Sequence, residues 1–194
     1  RAYLQAADGR QVEMNAGLRR YFSYVPQGNT LLSGTIADNL RMVKPDADDR
    51  EVERAARAAN CHEFIAALPK GYDTLAGDAG DLLSGGERQR ITIARAMLKP
   101  ASAIILDEAT AYADPESEAQ IQEAISRLVR EKTLIVVAHR LSTIRNANQI
   151  LVIDGGRLIG RGKHPDLLEG CPLYRKLWEQ HISAADSADE TEAM

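Results

Sequence analysis

The chain has 194 residues and a mass of 21.2 kDa, which is enough for one domain with a substantial core and too little for two domains of ordinary size. Its 24 basic and 28 acidic residues give a formal net charge of −4, and acidic residues are concentrated in the last eleven positions. The remainder of the chain is close to neutral. This balance excludes a general nucleic-acid-binding protein, whose affinity comes mainly from lysine and arginine on phosphates.

The lengths of the apolar runs and the positions of the cysteines exclude further classes of protein. No apolar run approaches the roughly 18 residues that span a bilayer, and we find no basic-then-apolar leader. We therefore expect the chain itself to be soluble and not secreted. Cys61 and Cys171 have neither a metal-ligand spacing nor the density of a disulfide framework. This usage predicts two ordinary thiols in a reducing compartment.

In chain order, the pattern predicts short strands and helices in alternation. The first twenty residues predict a weak hairpin around Asp8-Gly9, followed by a strand at residues 21–25. Helical spacing marks residues 48–59, 61–68 and 84–99, and the last of these helices is expected to stop before Pro100. The later predicted elements are a strand at 103–107, a helix at 115–131, a strand at 133–138, a short helix at 142–146, a hairpin at 149–162 and an interrupted helix at 167–182.

The strands at 103–107 and 133–138 are almost wholly apolar and do not alternate with polar residues. This pattern is typical of strands that are buried on both faces of a parallel sheet covered by helices. Strand, helix and strand in this order predict an α/β fold. The acidic residues after Ser183 are expected to be disordered.

A helix that opens on two glycines is the first candidate for phosphate binding. Ser84, Gly85, Gly86 and Glu87 begin the helix at 84–99, where backbone N–H groups without helical partners and the helix dipole attract anions. Glycines also let a phosphate approach the backbone closely. The alternative interpretation is an ordinary helix cap.

Acidic residues stand at the end of the apolar strand at 103–107. Because ligands of open α/β sheets bind at the carboxyl ends of strands, Asp107 is a candidate for holding Mg²⁺ and Glu108 is a candidate general base. His139 and Gln27 also follow strands, where an imidazole can donate to a phosphate and an amide can bind Mg²⁺ or orient water. The alternatives are that Asp107 and Glu108 only end a strand and that His139 is structural.

Five motifs have the order and spacing found in the nucleotide-binding domain of ATP-binding cassette (ABC) transporters, and the chain resembles that domain over residues 21–182. The motifs are Val25-Pro26-Gln27, Leu83-Ser84-Gly85-Gly86-Glu87-Arg88-Gln89-Arg90, Ile104-Ile105-Leu106-Asp107-Glu108-Ala109-Thr110, Ala113-Asp114 and Ala138-His139-Arg140-Leu141-Ser142. Flanking segments such as Leu32-Ser33-Gly34-Thr35-Ile36 resemble the exporter branch, in which membrane helices and cassette share one polypeptide. The resemblance implies a P-loop NTPase-like core of mostly parallel sheet with flanking helices, together with a helical subdomain.

The resemblance also implies a role for each matching residue on the sheet. Gln27 corresponds to the Q-loop glutamine, which senses Mg²⁺ and the γ-phosphate. Asp107 corresponds to the Walker B aspartate that holds Mg²⁺. Glu108 is implied as the catalytic base, and His139 is implied as the switch histidine.

The remaining matches imply a dimeric ATP site. Ser84, Gly85, Gly86 and Glu87 correspond to the signature motif, which holds the γ-phosphate of an ATP bound mainly by the opposite subunit. Asp114 corresponds to the D-loop aspartate at the dimer interface. The implied cofactors are ATP and Mg²⁺, and the implied partners are a second nucleotide-binding domain, in a homodimer or heterodimer, and the transmembrane domains, at the cytoplasmic face of the cell membrane. No nucleic-acid partner is expected.

Three departures from the family pattern are visible. No Gly-x-x-x-x-Gly-Lys-Ser/Thr loop occurs in the 194 residues, Tyr112 stands where the D-loop usually has alanine, and Asp78-Ala79-Gly80 differs from the usual Glu-x-Gly. We interpret the missing phosphate loop as a chain that begins just after it. The parent is then expected to be an ATPase, while this chain alone is expected to be inactive.

The predicted organisation is one partial nucleotide-binding domain over residues 1–183, with a helical subdomain at about 36–100, the Walker B half of the core at about 101–163, C-terminal helices at 164–183 and an acidic tail at 184–194. The parent would couple ATP binding and hydrolysis to solute transport, with export as the expected direction. One alternative is a truncated remnant or regulatory partner that supplies only half of a site. Another is a soluble cassette ATPase of the DNA-repair or translation kind, which the exporter-like spacing after Gln27 disfavours.

Overall fold

The protein is described by a computed structural model that covers residues 3–5, 9–27, 31–77, 80–107, 115–138 and 141–181. The chain divides into two units, Arg1–Val137 and Ala138–Met194. Each unit has a hydrophobic core of its own. The predicted acidic tail at 184–194 lies outside the described residues, and the predicted domain boundaries stay predictions.

A three-stranded parallel sheet lies in the first unit, and its strand order is β3-β4-β5. Tyr24 of β3 pairs with Ile105 of β4, which in turn pairs with Ile135 of β5. The parallel sheet with flanking helices confirms the predicted α/β class. The strands of the chain are β1 (Tyr3–Gln5), β2 (Gln11–Glu13), β3 (Phe22–Val25), β4 (Ala103–Asp107), β5 (Thr133–Val137), β6 (Ile150–Asp154) and β7 (Arg157–Gly162).

Helices occur where the helical spacing predicts them, with bounds that differ by one to three residues in most cases. The interrupted helix predicted at 167–182 consists of two helices, since α6 ends before Cys171 and a second helix follows. The helices are α1 (Ile36–Arg41), α2 (Asp49–Ala58), α3 (His62–Ala67), α4 (Gly85–Leu98), α5 (Pro115–Leu128), α6 (His164–Gly170) and α7 (172–181). Short 3₁₀ helices cover Ala16–Tyr21, Gly71–Asp73 and Leu141–Ile144.

Helix α1 is an element that periodicity does not predict, because six residues are too few to show a repeating apolar face. Its start is fixed by a capping box, in which the Thr35 hydroxyl accepts from the Asp38 amide at 3.0 Å and the Asp38 carboxylate accepts from the Thr35 amide at 2.9 Å. A 2.7 Å hydrogen bond from the Thr35 hydroxyl to the Asp38 carboxylate, together with that from the Thr35 amide, holds the pKa of Asp38 below its usual value. The Thr-x-x-Asp spacing was therefore the signal that could have identified this helix.

Helix α4 is the centre of the first core. It packs against β3, α1, α2 and α5, and residues such as Ile91, Ile93 and Ala94 are fully buried. A helix that is buried nearly all round is held by neighbours on every side. Its first turn is consequently held by the packing of the whole first unit.

Strand β5 corrects the expectation that both apolar strands are buried on two faces. Its residues Leu134, Ile135, Val136 and Val137 are 39–47% exposed, and β4 alternates between buried and half-buried positions. The physical reason is that, among the described elements, β4 is the one that packs extensively against β5, and no described helix does so on its faces. β5 is an edge strand, and no strand among the described residues pairs with its outer edge.

The second unit is built on an antiparallel hairpin of β6 and β7. Its core contains Leu167 of α6, Cys171 and Tyr174, and the Tyr174 hydroxyl lies 2.9 Å from Nδ1 of the buried His164. Both cysteines are buried free thiols. Burial raises the pKa of Cys61, in the first core, to about 12, so this thiol is neutral at physiological pH, as expected of a packing residue.

Candidate functional site

The carboxyl ends of β3 and β4 meet at one edge of the sheet. The register pairs Val25 with Leu106, so that Asp107, the last residue of β4, and Gln27, two residues beyond β3, lie at the same end of the sheet. Gln27 is exposed. Because parallel strands present their carboxyl ends at the same edge, the sheet brings the predicted amide and the predicted carboxylate to the side where ligands of α/β proteins bind.

Tyr24 is a site residue that the sequence analysis did not identify. Its hydroxyl donates a 2.8 Å hydrogen bond to Oδ2 of Asp107. Tyr24 is paired with Ile105, and Asp107 lies two residues beyond Ile105, on the same face of the sheet and within diagonal reach of a long side chain. The hydrogen bond to Asp107 raises the pKa of Tyr24, so the phenol is protonated and donates at neutral pH. The signal available in the sequence was the alternation of side chains along β3, which puts Tyr24 on the opposite face of the strand from Ser23 and Val25.

The side-chain oxygens of Gln27 and Asp107 at this edge are suitable ligands for a magnesium ion. A carboxylate oxygen and an amide oxygen are hard ligands of the kind that Mg²⁺ takes in proteins. The described residues contain no group of three or more histidine, cysteine or acidic side chains suited to a metal. Magnesium does not need such a group, because one or two carboxylates and the phosphates of a substrate hold it. When bound, the ion supplies charge neutralisation to phosphate oxygens.

The start of α4 is the second part of the site. The Glu87 carboxylate accepts from the Ser84 amide at 2.8 Å, and the Ser84 hydroxyl accepts from the Glu87 amide at 3.2 Å. This capping box leaves the N–H groups of Gly85 and Gly86, at the first two helical positions, without an intrahelical partner. Two adjacent donors at the positive end of a fourteen-residue helix favour binding of an anion.

The predicted site residues therefore fall into two groups in the described chain. Gln27 and Asp107 lie at the sheet edge, and Ser84, Gly85, Gly86 and Glu87 form the first turn of α4. The Glu87 carboxylate caps the helix by accepting from the Ser84 amide. We therefore assign Glu87 to holding the first turn of α4. Glu108, Asp114 and His139 lie outside the described residues, and their roles stay predictions.

A cleft elsewhere in the first unit is not part of this site. It has a volume of about 680 Å³ and is lined by side chains of α2, α3, α4 and α5, among them Arg57, Phe64, Arg90 and Arg127. None of the predicted site residues that the structure describes lines it. The candidate site therefore consists of the carboxyl edge of the sheet and the start of α4.

Substitution of Ser84 by alanine tests the cap directly. We expect Ser84→Ala to lower the free energy of unfolding by about 1 kcal/mol, because the Glu87 amide loses its acceptor at the helix start. Urea unfolding followed by circular dichroism measures the change. Ser126→Ala is the matched control, since the Ser126 hydroxyl donates to the Gln122 carbonyl within α5 and its loss removes no cap. Equal stability of Ser84→Ala and the unchanged chain would contradict the assignment.

An α/β unit with an acidic strand end at the carboxyl edge of its sheet and a helix that opens on two glycines has features suited to binding the phosphates of a nucleotide. The model of the family described as ABC transporter matches residues 4–111 of this chain, which is more than half of it. The chain belongs to the ABC transporter family.

Curated relatives are similar over most of this chain. The mycobactin import ATP-binding/permease protein IrtA of Mycolicibacterium smegmatis is 50% identical over 90% of this chain and 20% of its own length. The ATP-dependent lipid A-core flippase of Chromohalobacter salexigens is 48% identical over 87% of this chain and 29% of its own. Human ATP-binding cassette sub-family B member 6 is 43% identical over 95% of this chain and 22% of its own.

A solved structure has the same fold. The structure of a bacterial Atm1-family ABC exporter with ATP bound superposes with a TM-score of 0.77 at 40% identity, over 89% of this chain and 31% of that one. The chain thus spans less than a third of the length of these relatives. No helix among the described residues is long and apolar enough to cross a membrane.

Proposed function

We propose that the chain is the ATP-binding cassette of a membrane transporter and that it couples binding and hydrolysis of ATP, with Mg²⁺, to movement of a solute. The observation that carries the proposal is the pairing of Val25 with Leu106. This register puts Gln27 and Asp107 at one carboxyl edge of a parallel sheet, in a family whose members are transport ATPases.

The proposed hydrolytic site uses residues of two cassettes. In one cassette, Asp107 and Gln27 would hold Mg²⁺, which would neutralise charge on the phosphates, Glu108 would accept a proton from the attacking water, and His139 would donate to the γ-phosphate. The N–H groups of Gly85 and Gly86, which have no intrahelical partner at the start of α4, support a role toward an ATP of the facing cassette, because a helix start can bind a phosphate presented by a partner.

The proposed partners follow from the division of the ATP site between two cassettes. A second nucleotide-binding domain, identical or different, closes on the first around ATP, with Asp114 at the interface, and closure drives the attached transmembrane domains. The chain matches 20–29% of the length of IrtA and of the lipid A-core flippase. These relatives support a longer parent polypeptide, with the cassette at the cytoplasmic face of the cell membrane. Export is the proposed direction, which the Atm1-family exporter supports. The import function named for IrtA supports the opposite direction.

A second candidate function rests on one sequence observation. The 194 residues contain an intact Ser84-Gly85-Gly86 turn and no Gly-x-x-x-x-Gly-Lys-Ser/Thr loop. A chain of this kind can serve as a regulatory partner that gives a complete cassette the complementary half of a site and has no ATPase activity of its own. Capture of a complete cassette by the purified chain, strengthened by ATP, supports this candidate.

The proposed function is tested with the protein purified from its native membrane. We expect ATP hydrolysis that needs Mg²⁺ and stops when EDTA removes the ion. The isolated 194-residue chain is expected to show no hydrolysis under the same conditions. A native protein without Mg²⁺-dependent hydrolysis contradicts the proposal.

A further inference from the structure

The contact between Tyr24 and Asp107 is not needed to bury either side chain. Tyr24 is 52% exposed and Asp107 is half-buried, yet the hydroxyl lies 2.8 Å from Oδ2 of the carboxylate. An exposed phenol can satisfy its hydroxyl with water, so a packing requirement does not explain the contact. The pair joins two neighbouring strands on one face of the sheet.

The hydrogen bond from Tyr24 makes the two carboxylate oxygens of Asp107 different from each other. Oδ2 accepts from Tyr24, and Oδ1 has no hydrogen-bond donor among the described residues. A carboxylate held at one oxygen has fewer orientations available, and the other oxygen is presented in a fixed direction. Magnesium binds through single oxygens and demands near-octahedral geometry, so a carboxylate fixed in this way is better prepared for it than a freely rotating one.

We infer that Tyr24 is a positioning residue that orients the Asp107 carboxylate for the metal ion of the nucleotide. This inference rests on the proposed function, because it assigns the purpose of the contact to the same Mg²⁺ and ATP. Tyr24 touches neither the metal nor the nucleotide in this role. It acts through Asp107 alone.

The test compares two tyrosines of the same segment. Tyr24→Phe removes the hydroxyl that Asp107 accepts from, while Tyr21→Phe removes a hydroxyl that accepts from Arg20 at 3.1 Å, at the opposite end of β3. Mn²⁺ replaces Mg²⁺, and electron paramagnetic resonance measures its dissociation constant on the native-membrane transporter with a non-hydrolysable ATP analogue. We expect Tyr24→Phe to weaken Mn²⁺ binding by about tenfold, as for loss of a hydrogen bond to a charged group, and Tyr21→Phe to leave it unchanged.

Two further readouts separate positioning from a loss of structure. Affinity for the analogue in EDTA should be the same in Tyr24→Phe and the unaltered protein, since Tyr24 does not contact the nucleotide. In an Asp107→Asn background, Tyr24→Phe should weaken Mn²⁺ binding less than it does alone, because the two residues act as one unit. Equal Mn²⁺ affinity in the Tyr24→Phe and unaltered proteins overturns the inference, and so does an equal weakening of nucleotide binding in EDTA.

The outcomes also distinguish this inference from the proposed function. If the unaltered transporter binds Mn²⁺ with the analogue and hydrolyses ATP, while Tyr24→Phe changes nothing, only the positioning role of Tyr24 is wrong. If the unaltered transporter has no metal-dependent nucleotide binding, the proposed function fails and the role of Tyr24 falls with it.

Discussion

Replacing Glu108 by glutamine should reduce ATP hydrolysis by the complete transporter by about 10²- to 10⁴-fold, the usual contribution of a general base. Glutamine has nearly the same size as glutamate but cannot accept the proton of the attacking water. Binding of ATP should survive, because Mg²⁺ is assigned to Asp107 and the phosphates are assigned to other groups. The measurement is steady-state phosphate release together with nucleotide binding at equilibrium.

The matched control for this prediction is Glu131→Gln. Glu131 is an exposed residue between α5 and β5, so the same change of charge there should leave hydrolysis unaltered. A loss of ATP binding in Glu108→Gln would show that the residue supports the fold or the nucleotide instead of the chemistry. Hydrolysis that persists at the unaltered rate would remove Glu108 from the mechanism.

Replacing Ile91 by alanine should destabilise the first unit by about 2 to 5 kcal/mol, the range for deleting a buried isoleucine side chain beyond its β-carbon. Ile91 is fully buried in the first core, on the helix that contacts β3, α1, α2 and α5. The lost transfer free energy and the cavity left behind both contribute. Urea unfolding of the chain, followed by circular dichroism, measures the difference.

Leu82→Ala is the control for packing in this region. Leu82 is 71% exposed, and its truncation should change the free energy of unfolding by less than about 0.5 kcal/mol. The two variants remove apolar atoms from nearby positions of one segment and differ mainly in burial. A small effect at Ile91 would show that α4 is not the centre of the core, and the first turn of α4 would then lack the support assigned to it.

Most elements of the fold could be predicted because local signals and tertiary context agree. Strand β4 was predicted at its observed bounds, since four apolar residues end at an acid. Helix α2 begins where Asp48 and Glu51 form a capping box, close to the acidic turn that marks a helix start in the sequence. Where capping residues and apolar spacing agree, such elements can be predicted from one sequence.

The exposure of β5 could not be predicted from its residues. An apolar run such as Thr133–Val137 describes what a strand would bury, and the neighbours that cover it are a property of the whole sheet. Helix α1 shows the opposite case, in which a short element depends on one capping box and shows no periodicity. Both differences arise because burial is a tertiary property and periodicity needs length.

The candidate site was predictable in its residue types and less so in its internal contacts. Gln27, Asp107 and the glycine turn follow from motif spacing and from the rule that ligands bind at carboxyl strand ends. The Tyr24–Asp107 hydrogen bond depends on the register of β3 against β4, which no single segment specifies. Register joins residues that are 83 positions apart in the chain, and it becomes visible only when the sheet is assembled.

The intact mass and membrane association of the native gene product test the account most directly. An antibody against residues 141–181 identifies the product in fractionated cells, and mass spectrometry of the purified species gives its size. We expect a species several-fold heavier than 21.2 kDa in the membrane fraction, as for a cassette joined to transmembrane domains. A soluble species near 21.2 kDa would contradict the transporter assignment and leave only the half-site partner.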